Sequence, residues 1–106
     1  MKVYAVKNAS KSGALPKKEL ELKEADLHYE ERTVGMSRFF AAAQANTKIV
    51  RLLRTPKRTN INNGDAVIPI DGLQYEIKQI QYPRDAPLSM DLSLERLEAT
   101  YEFAKT

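Results

Sequence analysis

The chain has 106 residues, which is enough for one domain with a core but short for two. It contains no cysteine, which excludes disulfide frameworks and thiolate metal sites, and its longest apolar run of five residues is far below the roughly 20 that a membrane-spanning helix needs. The net charge is +3, and a single histidine with no tryptophan leaves little material for catalysis.

Period-two alternation in residues 1–6 predicts a short first strand, although neither face is clearly polar. Residues 7–18 have the Asn, Ser, Gly and Pro content of a loop or flexible arm within the single domain 1–106. Residues 19–29 fit either a strand interrupted by an acidic bend or a weak helix, and both interpretations stay open.

The best helix candidate is the segment 37–45. Ser37 can cap it, and most of the residues that follow are good helix formers. Phe40 and Ala43 share one face, which gives this helix a small apolar surface to pack. Residues 47–54 then alternate with period two and predict a strand. Because both of its faces carry apolar residues, we expect it between two layers or across a closed barrel.

A long polar connection, TPKRTNINNG, follows at residues 55–64. Its proline and three asparagines are typical of turns, and its ten residues exceed the usual length of a hairpin loop. Long loops in small domains are commonly functional or disordered. The segment is therefore a candidate functional loop.

The clearest local signal is the hairpin AVIPI-DG-LQYEI at residues 66–77. Its Asp-Gly pair is the dipeptide that a two-residue type I′ turn requires. A change of phase in the apolar residues after Ile77 indicates a β-bulge near residues 78–79. The predicted register pairs Ile70 with Leu73, Ile68 with Tyr75 and Ala66 with Ile77, and places all six on one apolar face.

The last third of the chain begins with a predicted loop at residues 82–89. Residues 90–103 fit a bulged strand, because apolar positions alternate in two successive phases. They fit a helix from residue 93 nearly as well, and the pattern alone does not separate the two.

The residues offer little for catalysis or metal binding. His28 lies between two apolar residues and is typical of a structural or surface histidine, and the four glycines are too dispersed for a phosphate-binding loop. On a helix, four carboxylates would line one side, but a solvated face explains them better; they are Asp91, Glu95, Glu98 and Glu102. No catalytic, cofactor-binding or metal site is predicted, so an enzyme is the least supported class.

Charge is divided unevenly along the chain, with a balance of +7 over residues 1–58 and −4 over residues 59–106. This asymmetry is typical of nucleic-acid-binding proteins and of subunits whose basic face meets the acidic face of a neighbour. A third interpretation is that the lysines of the first half only keep that part of the surface solvated. Four basic residues lead into the long loop and would suit phosphate contacts; they are Arg51, Arg54, Lys57 and Arg58. Tyr75 and Tyr82, which could stack on bases, are expected in the core, so specific nucleic-acid recognition has little support.

The order of elements resembles a known family. RFFAAAQAN, the arginine-flanked strand IVRLLRTP, a polar loop, AVIPIDGLQYEIKQIQ and a final DLSLERLEATYEF follow one another over residues 29–103. This order is similar to that of the small head-closure or head–tail connector proteins, stoppers and adaptors, of long-tailed bacteriophages. The resemblance implies a mainly β fold, a small antiparallel barrel or sandwich with one short helix, and a strand rather than a helix at residues 90–103.

The resemblance also implies a non-enzymatic virion protein without a cofactor, assembled in the cytoplasm of the host bacterium. Such subunits form rings of about six or twelve copies, away from any membrane. The portal or adaptor lies above the ring and a tail-completion or tail-terminator protein below it, and the ring contacts packaged DNA without sequence specificity. A stand-alone nucleic-acid-binding β-barrel is the alternative.

In related stoppers a long loop projects toward the DNA channel, and residues 55–64 match its position. The resemblance therefore implies that the loop's polar residues face the channel, and that two arginines before it face DNA or a neighbouring subunit. The channel residues would be Lys57, Arg58, Asn60, Asn62 and Asn63, and the two arginines Arg51 and Arg54.

Overall fold

A computed structural model describes residues 1–8, 18–33 and 49–104 of the chain. The predicted helix over 37–45 lies outside these residues. The described part is mainly β, as predicted. Its strands are β1 (Lys2–Asn8), β2 (Lys18–Glu24), β3 (Glu30–Arg32), β4 (Arg51–Pro56), β5 (Ala66–Ile68), β6 (Tyr75–Gln81), β7 (Ser89–Arg96) and β8 (Glu102–Phe103).

The eight described strands form one sheet in the order β3-β4-β7-β6-β5-β1-β2-β8. Every neighbouring pair is antiparallel except β2 and β8, which run parallel. Within the described ranges, β3 and β8 are the two edges of this sheet. The long strands β4, β6 and β7 lie next to one another, so β7 is hydrogen-bonded on both sides.

One face of the sheet carries the main core, and the sheet curls around it. Met1 and Leu27 exchange two backbone hydrogen bonds, and the Thr55 hydroxyl of β4 donates to the His28 carbonyl. Residues 27–28 thus contact both the start of β1 and strand β4. These two strands are four positions apart in the sheet and would be about 19 Å apart if it were flat. The buried residues of the main core are Val3, Leu27, Leu53, Ile61, Val67, Tyr75, Ile77, Met90, Leu92 and Leu94.

A smaller cluster packs on the opposite face of β1, β2 and β5. Tyr4, Leu20 and Ala66 are buried in it, and the rings of Tyr4 and Phe103 lie 5.4 Å apart. Strand β1 is therefore covered on both faces, since Val3 belongs to the main core. This explains why residues 1–6 show no clear polar face in the sequence.

The observed bounds of β1 and β2 decide parts of the predictions for residues 7–18 and 19–29. Lys7, Asn8 and Lys18 belong to strands, so the predicted arm over 7–18 is wrong at these three positions, and its other residues, 9–17, lie outside the described residues. The segment 19–29 begins as strand and bends at residues 25–26, so its helix interpretation is wrong.

The hairpin of β5 and β6 forms, and the predicted bulge between Ile77 and Gln79 is confirmed, but the predicted register is wrong by one residue. Val67 faces Tyr75, and the turn is closed by a hydrogen bond from the Gly72 amide to the Pro69 carbonyl. The centre of the turn is therefore Ile70-Asp71 rather than Asp71-Gly72, and Gly72 has a φ of 77°, which favours glycine.

A one-residue slip reverses which side chains share a face. Val67 joins Tyr75 and Ile77 in the main core, whereas Ala66 packs in the small cluster on the other face. Ile70 is 92% exposed, so the six-residue apolar face does not exist. The Asp71 carboxylate stabilises the observed turn by accepting a hydrogen bond from the Leu73 amide.

The C-terminal segment is strand as the resemblance implied, but it is not one bulged strand over 90–103 and not a helix from residue 93. Strand β7 ends at Arg96, and β8 crosses to pair with β2 at the far edge of the sheet. The Gln74 side chain holds the segment between β7 and β8, because its amide donates to the Tyr101 carbonyl and its oxygen accepts from the Tyr101 amide. This exchange replaces a pair of backbone hydrogen bonds.

Candidate functional site

The candidate loop begins at Lys57, since Thr55 and Pro56 belong to β4, and runs to Gly64. Ile61, in its middle, is buried in the main core and fixes the loop to the sheet. The structure brings all five predicted channel residues together on this loop, each with an exposed side chain: Lys57, Arg58, Asn60, Asn62 and Asn63.

A mostly buried ion pair holds the loop at its base. Lys23 of β2 lies 2.7 Å from the Asp65 carboxylate and also donates to the Asn60 carbonyl at 2.6 Å. The same carboxylate accepts a hydrogen bond from the Asn62 amide at 2.9 Å. The sequence does not predict Lys23 and Asp65 as site residues. Lys23 lies in a segment of alternating lysine and glutamate, which is typical of a solvent-exposed surface.

Beyond this base, the loop continues the antiparallel pairing with β6. The Gly64 amide donates to the Ile77 carbonyl at 2.8 Å, and the Ile77 amide donates to the Asp65 carbonyl at 2.9 Å. Gly64 has a φ of 90°, so the chain turns into β5 through a conformation that favours glycine. Two hydrogen bonds to β6 and the turn at Gly64 therefore fix the backbone where the loop joins β5.

The two cations of the loop contact other parts of the same chain. The Lys57 ammonium lies 5.0 Å from the centre of the Tyr82 ring, and Arg58 lies 3.4 Å from the Glu24 carboxylate. Tyr82 is 58% exposed, so its predicted place in the core is wrong. Since the Lys57 amide also donates to the Leu88 carbonyl, residues 57–64 and 82–88 form one continuous surface, which we call the loop surface.

Arg51 is engaged within the chain at the other end of β4. Its guanidinium forms hydrogen bonds with the Glu31 carboxylate of β3 and with the Asp71 carboxylate of the β5–β6 turn, and it lies over the Tyr75 ring. The Tyr75 hydroxyl donates to the same Asp71 carboxylate at 2.9 Å. Arg51 thus links β3, β4 and the turn.

Arg54 lies on the opposite face of β4 from Arg51, since the two are three positions apart in a strand. Its guanidinium forms a two-point contact with the Asp91 carboxylate, at 2.8 Å and 3.1 Å, and lies 3.8 Å from Asp85. The hydrogen bond to Asp91 raises the pKa of Arg54. Both predicted arginines are therefore already paired inside the chain, and their role toward DNA or a neighbour stays a prediction.

These contacts give the uneven charge of the sequence an intramolecular explanation. Basic residues of the first half are neutralised by acidic residues of the second half in the same fold. A neighbouring subunit is not needed to compensate them. The pairs are Lys23 with Asp65, Arg51 with Asp71, and Arg54 with Asp91.

The Glu31–Arg51 contact predicts a pH-dependent contribution to stability. The hydrogen bond from Arg51 lowers the pKa of Glu31 below its ordinary value of 4.5. Ionised Glu31 therefore stabilises the fold above this value, and the contribution is lost as the pH falls through the lowered pKa. Because Glu31 is half exposed, we expect about 0.2–1 kcal/mol.

Urea denaturation at a series of pH values measures this contribution. The unfolding free energy of the wild type should fall more between about pH 6 and about pH 3 than that of Glu31→Gln, in which position 31 cannot ionise. Parallel curves for the two proteins would contradict the predicted role of Glu31.

The other predicted chemical groups lie apart from the loop. His28 is exposed, and Asp91 is held by Arg54 while Glu95 pairs with Lys78. Among residues 1–8, 18–33 and 49–104, no three acidic or histidine side chains group as a metal site requires. The same ranges contain no helix with the length and apolarity to cross a membrane.

Comparison of the chain with protein-family models, curated proteins and solved structures finds no match.

Proposed function

We propose that the protein is a non-enzymatic structural component of the head–tail junction of a long-tailed bacteriophage. Copies assemble as a ring below the portal or adaptor, close the DNA channel and receive the tail. The order of sequence elements that resembles the connector proteins supports this function, and the mainly β fold is compatible with it. In this proposal the curled sheet belongs to a small barrel or sandwich with one short helix over 37–45.

The main structural support for the proposal is the loop 57–64, which is polar on its surface and attached to the sheet at its base. Its exposed residues are basic or polar, while Ile61 and the Lys23–Asp65 pair hold it against the sheet. In a ring, each copy would present this loop at the same radius. Two cations per copy, Lys57 and Arg58, would then be repeated around the axis and form a strongly positive constriction for DNA.

Electron microscopy of phage particles that lack this protein tests the proposal. We expect filled heads that lose DNA and carry no tails, and we expect normal virions after complementation with the wild-type chain. Complementation with Lys57→Ala/Arg58→Ala should restore tails but retain DNA less well, since the charges of the constriction are removed. Normal tailed virions without the protein would reject the function.

A second candidate, a stand-alone nucleic-acid-binding protein, is favoured by one observation. Tyr82 is exposed beside Lys57, and an exposed aromatic ring next to a cation is typical of surfaces that bind single strands. A salt-sensitive mobility shift with short single-stranded DNA, abolished by Tyr82→Ala and by Lys57→Ala/Arg58→Ala, would favour this candidate. Retention of ring assembly without such a shift would favour the first.

A further inference from the structure

The C-terminal strand β8 occupies a site that the rest of the fold builds. Its two residues pair in parallel with Glu19 and Leu20 of β2. The Phe103 ring packs against Tyr4, which is buried in the small cluster on this face of the sheet. Strand β2 is itself paired with β1 through six residue pairs, so the edge that receives β8 belongs to a well-connected part of the sheet.

The residues on either side of β8 bind to the same site. The side chain of Tyr101 packs against the small cluster, and its backbone amide and carbonyl bond the Gln74 side chain at 2.8 Å and 3.0 Å. The Ala104 amide donates to the Leu20 carbonyl at 2.8 Å. Residues 101–104 therefore bind as one unit, which we call the C-terminal unit. Its binding site, which we call the acceptor site, consists of Tyr4, Glu19, Leu20 and Gln74.

A short exposed connection joins the C-terminal unit to β7. The Leu97 amide is held by the Gln74 carbonyl, whereas residues 98–100 are exposed and the chain bends at 98–99. Across the part of the chain that the structure describes, residues 98–100 form no hydrogen bond or ion pair. Straightening the bend therefore breaks no such contact. The four steps from Leu97 to Tyr101 then span about 13–14 Å, which lets the unit reach a copy that lies against its own.

We propose that copies of this chain are linked by exchange of the C-terminal unit, which occupies the acceptor site of the next copy instead of its own. A second copy is the partner because the acceptor site fits the Tyr101 and Phe103 side chains in one register, and every copy carries that sequence. The exchanged unit makes the hydrogen bonds and the ring contact that it makes within one copy, so no new complementary surface is required.

Exchange from each copy to the next is a head-to-tail link, and such links close into a ring when the rotation permits. The inference rests on the proposed ring assembly and names the element that joins its subunits. It uses no residue of the loop 57–64. The loop therefore stays available to face the channel, and removal of its charges leaves the link intact.

Introduced cysteines test the exchange, because the natural chain contains none. Glu19 lies opposite Glu102 of β8 on one side and opposite Lys7 of β1 on the other. Glu19→Cys and Glu102→Cys are unfolded together in urea as an equimolar mixture, refolded at high concentration and oxidised. Exchange should yield a disulfide-linked heterodimer at twice the mass of one copy, since a disulfide needs Cα atoms within about 7 Å.

The mixture of Glu19→Cys with Lys7→Cys is the matched control and should lack this heterodimer, because β1 and β2 pair within one copy. The double variant Glu19→Cys/Glu102→Cys reports the form of the exchange. Head-to-tail exchange gives a ladder of linked copies, whereas a reciprocal pair stops at the dimer. The inference is overturned by a first mixture that resembles the control, or by a double variant that stops at the monomer or the dimer.

Phe103→Ser gives an independent measurement, since it removes the ring contact with Tyr4 and no side chain of the main core. In analytical ultracentrifugation its association should be weakened at least about tenfold relative to the wild type. Ile70→Ser, at a position that is 92% exposed and outside the acceptor site, should associate normally, and thermal unfolding should show that both variants are folded. Equal association of the two variants would overturn the inference. Tailless particles in the absence of the protein, together with cysteines that link only within one copy, would retain the proposed function and reject only the exchange.

Discussion

Replacement of Leu92 by alanine is expected to lower the free energy of unfolding by about 2–5 kcal/mol. Leu92 is fully buried in the main core, and its strand β7 is paired with β4 on one side and β6 on the other. It lies opposite Leu53 and Ile80 in these two pairings. Truncation therefore loses apolar burial and leaves a cavity at the centre of the sheet, where neighbouring strands restrict relaxation.

Urea denaturation measures the loss, and Leu88→Ala is the matched control. The same truncation at position 88 removes a side chain that is mostly exposed, so its effect should stay within about 0.5 kcal/mol. Equal losses for the two variants would contradict the assignment of Leu92 to the centre of the core.

Replacement of Asp65 by alanine is expected to cost about 2–4 kcal/mol. The change leaves the Lys23 ammonium without its carboxylate in a mostly buried place and removes the acceptor of the Asn62 amide. Removal of one member of a buried ion pair is costly because the remaining charge keeps its desolvation penalty. Hydrogen exchange of the Asn62 amide should accelerate, since the hydrogen bond that protects it is lost.

A double-mutant cycle with Lys23→Met and Asp65→Ala isolates the coupling between the two side chains. The exposed pair Lys7–Glu21, at 3.3 Å between β1 and β2, gives the matched comparison. We expect the buried pair to be coupled by more than about 1 kcal/mol and the exposed pair by less than that. A coupling at the base of the loop as small as that at the surface would show that Ile61 holds the loop without the ion pair.

Much of the strand content could be predicted, because alternation, the bulge and the polar connections are local signals. The register of the β5–β6 hairpin could not. The Asp-Gly pair marked the right turn, but glycine occupies its last position and Asp71 uses its carboxylate to support the backbone. The resulting shift by one residue reverses the faces of the strand, so a small error in the turn becomes a large error in the core.

The loop could be located from its composition, but its attachments could not. The Lys23–Asp65 pair joins residues 42 positions apart, and Arg54 meets Asp91 across 37. Which charges meet depends on the order of strands in the sheet, and the sequence pattern does not contain that order. The exposure of Tyr82 could not be predicted for a different reason, because an aromatic residue that continues the alternation of a strand is usually buried.

The contact between the Gln74 side chain and the Tyr101 backbone lies where the fold can open locally. Strand β8 pairs with β2 through two residue pairs and a further hydrogen bond from the Ala104 amide. The Phe103 ring packs against Tyr4, and the Gln74 side chain bonds the Tyr101 backbone just before β8. These contacts lie outside the main core, so we expect the C-terminal segment to detach at a lower free energy than global unfolding requires. The edge of β2 at Glu19 and Leu20 then becomes transiently available, while β7 and its neighbours stay folded.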